Sequence, residues 1–166
     1  MYNNSLLKNF KKSNLKVENF PHIIIENALD PYFYRKLSDT FPDVSLFTKG
    51  KEIKDNFRYD IWCKDLDNEI DEVWRDFINY HSSYHFFYSV ISAFNEQIQN
   101  SQNSKLIELL EKKVKTSNNK EDLNNNKTDV WHNMSLSINS KVKKNQPSVR
   151  TPHLDNPNKI YEYLLR

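Results

Sequence analysis

Large side chains recur three or four residues apart from Asp67 to about Gln99: Ile70, Trp74, Phe77, His81, Tyr84, Tyr88, Ile91, Phe94 and Ile98. That spacing lines one stripe of a helix, so it predicts one long helix or two collinear ones. Ser82-Ser83 is the expected break, because a serine side chain caps a new helix. Upstream, Tyr32, Phe33, Leu37 and Phe41 keep the same rhythm behind Asp30-Pro31, an N-cap and a first-turn proline, until Pro42 stops it. A helix over 31–41 follows. Leu106, Leu109, Leu110 and Val114 predict a shorter amphipathic helix over 105–115.

Elsewhere the period is two. Phe57, Tyr59, Ile61 and Cys63 alternate with Arg58, Asp60 and Trp62, the pattern of a half-buried strand. The clearest strand is 129–139, where Val130, His132, Met134, Leu136 and Ile138 share one face and Trp131, Asn133, Ser135, Ser137 and Asn139 the other. Pro21-His22-Ile23-Ile24-Ile25 is a short β-branched run that reads as a strand buried on both faces, with His22 a packed or edge histidine. Ile160 to Leu165 begins one more. Between these lie polar tracts: a loosely attached lead-in over 1–18, a loop over 43–56, a mobile loop over 116–127 with only Leu123 apolar, and a Lys-rich connection over 140–148. The sum is an α+β chain. Helices of 30–115 are expected to pack as a unit against a small open sheet drawn from 22–25, 57–63, 129–139 and 160–165.

The chain has 166 residues, one domain's worth, taken as a lead-in over 1–18 and a single domain over 19–166. With 37% hydrophobic but 13% aromatic residues, its core should rest on Trp, Tyr and Phe. A formal charge of +2, with Lys scattered among acids, argues against a nucleic-acid face, which needs clustered basic residues. One cysteine, Cys63, excludes an internal disulfide, fits a reducing compartment and reads as a small buried hydrophobe. No run approaches the length of a membrane span, and the basic N-terminus lacks the apolar core of a signal peptide, so no membrane partner and a cytoplasmic location are expected. A single glycine, Gly50, leaves no phosphate-cradling loop.

Candidate chemistry sits in Val149-Arg150-Thr151-Pro152-His153-Leu154-Asp155-Asn156-Pro157-Asn158-Lys159. If His153 to Asp155 is extended, as the flanking prolines encourage, imidazole and carboxylate point to the same side. They then form two thirds of the two-His, one-carboxylate triad of non-haem Fe(II) sites. On spacing alone the run also fits a turn, since Asp-Asn-Pro-Asn is good turn sequence. His81 and His85, four apart, could also share a metal by spacing. With aromatic neighbours and no carboxylate at the matching turn, they read instead as packing or hydrogen-bonding residues.

The run from Arg150 to Pro157, followed by Tyr163-Leu164-Leu165-Arg166, resembles the iron-binding segment of the prolyl 4-hydroxylase-like branch of the 2-oxoglutarate and Fe(II)-dependent oxygenases. Phe20 to Leu29 with Leu37 and Phe41-Pro42 resembles that family's opening strand and helix. Trp74, Phe77, His81, Ser83 and Phe87 resemble its central helices. Thr151 stands where the family usually has Gly, and a distal His and the 2-oxoglutarate-binding Arg are not seen.

The resemblance implies helices packed on an incomplete double-stranded β-helix (jelly roll), with Fe(II) as metal and 2-oxoglutarate as co-substrate. His153 and Asp155 would be metal ligands and a C–H bond of an unknown substrate would be hydroxylated. Strand 129–139 would be the first core strand, with Asn133 and Ser135 either lining the active site or solvated. Arg150 would brace the metal loop or stand in solvent. The expected product is an oxygenase fragment, inactive as given. The alternative is a non-catalytic interaction module that homodimerises through an open sheet edge.

Overall fold

Ser82 and Ser83 do break the long apolar stripe, and the fold is arranged about the corner they make. The computed structural model describes residues 4–62, 65, 69–143 and 160–161 of the chain. These form a mixed α+β structure that divides into two compact units, one of residues 1–43 and 61–136 and one of 44–60 and 137–166. Among the described residues no helix is long and apolar enough to cross a membrane.

In the first unit, helix α1 (Pro31–Asp39) is capped by Asp30, whose carboxylate accepts from the Tyr32 and Phe33 amides. Helices α3 (Glu72–His81) and α4 (Tyr84–Ala93) meet at the two serines. The Ser82 hydroxyl donates to the Ile78 carbonyl at 2.6 Å, while Ser83 caps α4 by accepting from the Phe86 amide. The Ser83 cap satisfies an amide that the start of α4 leaves open, while the Ser82 hydroxyl adds a second donor to a carbonyl that already accepts the Ser82 amide. Val73, Trp74, Phe77, Ile78 and His81 of α3 are buried, with Phe86, Phe87, Val90 and Ile91 of α4. The second set keeps Ile91 of the expected stripe but not Tyr84 and Tyr88. Because α4 starts anew at Tyr84, its phase is reset, and Tyr84 and Tyr88 stack on each other, Tyr88 being exposed. Helix α1 packs on α3 through Phe33 and Phe77, with ring centroids 6.2 Å apart, and Trp74 stands edge-on to both Phe41 and Phe77. Burying a Phe or Leu side chain contributes about 2 to 3 kcal/mol, so this aromatic seam dominates the unit. Helices α5 (Asn95–Gln99) and α6 (Ser104–Glu111), the latter capped by Asn103, complete it.

Three polar tracts are more structured than their composition suggests. In the lead-in, Ser5 and Leu6 are buried and strand β1 (Leu15–Lys16) pairs antiparallel with β2 (His22–Ile23). The strand near His22 is therefore half of a surface hairpin, turned through Asn19 at φ 64, and not buried on both faces; Val17, Phe20 and Ile24 are exposed. His22 is an edge residue, its Nδ1 3.0 Å from the Phe20 carbonyl. In 116–127, strand β4 (Thr116–Ser117) pairs parallel with β5 (Val130–Trp131), and helix α7 (Lys120–Asn124) lies between them in sequence. Here polar bonds replace apolar burial: Ser117 donates to Asp122 at 2.6 Å, Asn119 caps α7, and Asp129 accepts the Lys115 amide.

In the second unit, α2 (Val44–Thr48) occupies part of the expected 43–56 loop. The chain leaves it through Lys49 and Gly50, at φ 53 and 71, where glycine is the natural residue. Strand β3 (Arg58–Trp62) pairs with β6 (Ser135–Asn139). Beyond the ladder, Ser140 donates to the Phe57 carbonyl and Asn56 to the Lys141 carbonyl, so contact moves back along one segment as it moves forward along the other. The expected strand 129–139 is thus two strands in two different sheets. At the gap the His132 amide donates to the Ser117 carbonyl of β4, closing the β4–β5 pairing, and its ring Nδ1 lies 2.8 Å from the Ser82 carbonyl. Of the segments expected to supply an open sheet, 57–63 and 129–139 pair here through β3 and β6, while 22–25 pairs with β1 instead; the described strands form three two-stranded sheets. Ile160 and Tyr161 are half-buried and outside any strand; Cys63 and 162–165 lie outside the described residues.

Candidate functional site

The residues singled out for chemistry divide sharply. Arg150, His153 and Asp155 lie outside the described residues. Asn133 is exposed, in the gap between β5 and β6, and Ser135 is half-buried at the start of β6. What the donor set offers is read from its chemistry: imidazole and carboxylate are a nitrogen and an oxygen ligand suited to Fe(II). Just after this run, burial pushes the Tyr161 phenol up to about 12, keeping it a neutral hydrogen-bond donor.

One polar cluster was not anticipated. On β3 and β6, Arg58 Nε donates to Asp60 Oδ1 at 2.6 Å and Arg58 Nη2 donates to Ser137 Oγ at 2.7 Å, while the Ser137 hydroxyl donates to the same Asp60 oxygen. The pair is three-quarters buried, with side chains 26% and 24% exposed, so the guanidinium and carboxylate are shielded enough to matter but neutralise each other. Arg58 and Asp60 stand two apart on β3, and Ser137 on the polar alternation of β6. That period was visible in the sequence; which strands it joined was not.

Two of the histidines are structural by geometry. His81 is 2% exposed, its Nδ1 2.7 Å from the Phe77 carbonyl and its Nε2 accepting from the Leu6 amide at 3.1 Å. Burial pushes it down to about 4, against the opposing hydrogen bond to Phe77. His132 is likewise lowered by burial, opposed by its hydrogen bond to the Ser82 carbonyl at 2.8 Å. Its Nε2 is buried with no hydrogen-bond partner among the described residues. His85 is exposed, so the i, i+4 pair on 81 and 85 does not converge, and the packing role expected for His81 is the one observed. Among the described residues no three His, Cys, Asp or Glu side chains come together to hold a metal ion. A cleft of about 490 Å³ opens beside Tyr32, Lys36, Asp71, Glu72 and Asp76, but Asp71 is already committed to capping α3.

Compared with known proteins, the chain matches no family model, no curated protein and no solved structure.

Proposed function

We propose that the chain carries the iron-binding segment of a 2-oxoglutarate and Fe(II)-dependent oxygenase of the prolyl 4-hydroxylase-like branch, on a fold related to the jelly roll. The observation that carries this is the run Arg150-Thr151-Pro152-His153-Leu154-Asp155-Asn156-Pro157. The prolines bias their neighbours toward extended backbone, which puts the His153 imidazole and the Asp155 carboxylate on one side. Arg150 braces the loop through a carboxylate or carbonyl, and Asn133 and Ser135 offer polar groups toward the substrate side. Bound Fe(II) supplies oxidative chemistry that couples 2-oxoglutarate decarboxylation to hydroxylation of a C–H bond. Pairing of β3 with β6, with the half-buried Arg58, Asp60 and Ser137 side chains in contact, supports a sheet with a polar surface.

The test is metal binding by the whole chain, using Mn(II) as an Fe(II) surrogate followed by electron paramagnetic resonance. Single replacements His153→Ala and Asp155→Ala should each weaken binding at least about tenfold, since each removes one of few ligands. His85→Ala, at an exposed position, should change nothing. Equal Mn(II) affinity in all four proteins sinks the iron reading.

A second reading, an interaction module that homodimerises by strand addition, is favoured by one observation. Among the described residues β3 and β6 each have a single strand partner, and an unpaired strand edge is a template for another chain. A monomer by light scattering at high micromolar concentration would remove it.

A further inference from the structure

The N-terminal segment is fastened to the helical unit by a hydrogen bond whose acceptor can take up a proton. The Leu6 amide donates to His81 Nε2 at 3.1 Å, joining positions 75 apart in sequence. For Nε2 to accept, the ring proton must sit on Nδ1, and the Phe77 carbonyl 2.7 Å from Nδ1 fixes that tautomer. The ring is enclosed by Phe77, Tyr80 and Phe86, with centroids 4.0, 5.0 and 4.5 Å away. Placing a second proton on Nε2 converts the acceptor into a donor that faces an amide donor, in a site where His81 is only 2% exposed. The bond cannot survive that change.

We propose that His81 is a proton-operated latch. In its neutral form it holds the segment around Ser5 and Leu6 on the corner between α3 and α4; in its protonated form it releases that segment while the helices stay folded. The groups facing the ring include Phe77 and Tyr80 of α3, Phe86 of α4 and the Leu6 amide. Of these Tyr80 is titratable, and a phenol carries no charge in acid. His132 is the other titratable group at this corner, reaching the Ser82 carbonyl from β5's end, and it serves as the control.

Release lets water reach Nε2, so protonation drives opening over the interval between the free imidazole value of 6.5 and the held value of about 4. The opening constant then rises about tenfold per pH unit below 6.5, or about twentyfold between pH 7 and pH 5. Amide hydrogen exchange by nuclear magnetic resonance on the whole chain, corrected for intrinsic rates, reads this directly. Leu6 should lose about twentyfold in protection from pH 7 to pH 5 and, at every pH, stay well less protected than Ile91, in α4, which reports opening of the helices. His132→Asn should leave the Leu6 profile as it is. His81→Gln, whose side-chain carbonyl can accept the same amide without titrating, should flatten it. If His81→Gln fails to fold, Leu6→Pro deletes the donor, and the His81 midpoint should then rise by about one unit or more, because the coupling is reciprocal. Four results each overturn the latch: a flat Leu6 profile in the unaltered chain, protection of Leu6 equal to that of Ile91, an unchanged slope in His81→Gln, or an unmoved His81 midpoint in Leu6→Pro.

Discussion

The indole N–H of Trp74 donates to the carbonyl oxygen of Leu37 at 2.9 Å. The amides of Thr40 and Phe41 take the carbonyls of Lys36 and Ser38, so a side chain from α3 satisfies the carbonyl that the last turn of α1 leaves open. Trp74→Phe keeps much of the ring packing but strands that carbonyl, and should cost about 1 to 3 kcal/mol. Trp74→Ala adds a cavity and should cost about 3 to 5 kcal/mol. Urea unfolding followed by circular dichroism measures both; a loss under about 0.5 kcal/mol for Trp74→Phe would mean that water reaches Leu37.

Acid should weaken the fold through His81. His81 is held near 4 when folded and titrates near 6.5 when unfolded, so in between the unfolded chain binds the extra proton. Its contribution is complete above pH 6.5, is lost as pH falls toward 4, and is constant below. The loss is at most about 3 kcal/mol, less whatever release of the Leu6 segment relieves. His132, also lowered, acts in the same direction. Urea midpoints at pH 7, 6 and 5 should fall in that order, less steeply in His132→Asn; midpoints that rise toward pH 5 would contradict the assignment.

The helical half of this fold was legible because its signals are local. Asp30-Pro31 and Ser82-Ser83 carry their caps in the sequence, and the 3.6 period marks α1 and α3 without help from distant residues. The 116–127 tract misled because apolar content was its only measure, whereas Asn119, Ser117 and Asp122 order it through side-chain bonds to backbone and to each other. The break in 129–139 could not be read at all. Alternation is continuous there, and the anchors at His132 come from Ser117 and Ser82, neither near in sequence. Of the candidate residues, the His153 and Asp155 pair rests on sequence alone, while the Arg58, Asp60 and Ser137 cluster needed strand pairing to appear.

That polar order in the α7 region makes it sensitive to single atoms. Asp122→Ala removes the acceptor of the Ser117 hydroxyl, and Asn119→Ala removes the cap of α7, each worth about 1 kcal/mol in a segment with little apolar burial. Trypsin cleavage after Lys120 and Lys127 should accelerate several-fold in either variant under native conditions. Unchanged digestion kinetics would show that the β4–β5 pairing alone holds the segment.

Arg58, Asp60 and Ser137 should behave as one unit. Ser137→Ala is expected to cost about 1 kcal/mol and Asp60→Ala more, because it leaves a largely buried guanidinium without its anion. In a double-mutant cycle on thermal or urea unfolding, the pair should couple by about 0.5 kcal/mol or more. Strict additivity would mean the three groups are neighbours without being partners.

Asn19, Asn27, Asn56 and Asn126 all hold positive φ, between 52 and 64, in a chain with a single glycine. Asparagine reaches this region at small steric cost, so it makes the reversals that glycine makes elsewhere. The consequence lies in the denatured ensemble rather than in any native contact. Glycine at these four places would enlarge the number of conformations lost on folding, whereas asparagine narrows it. Part of what favours the folded chain is therefore an entropy that the native coordinates do not display.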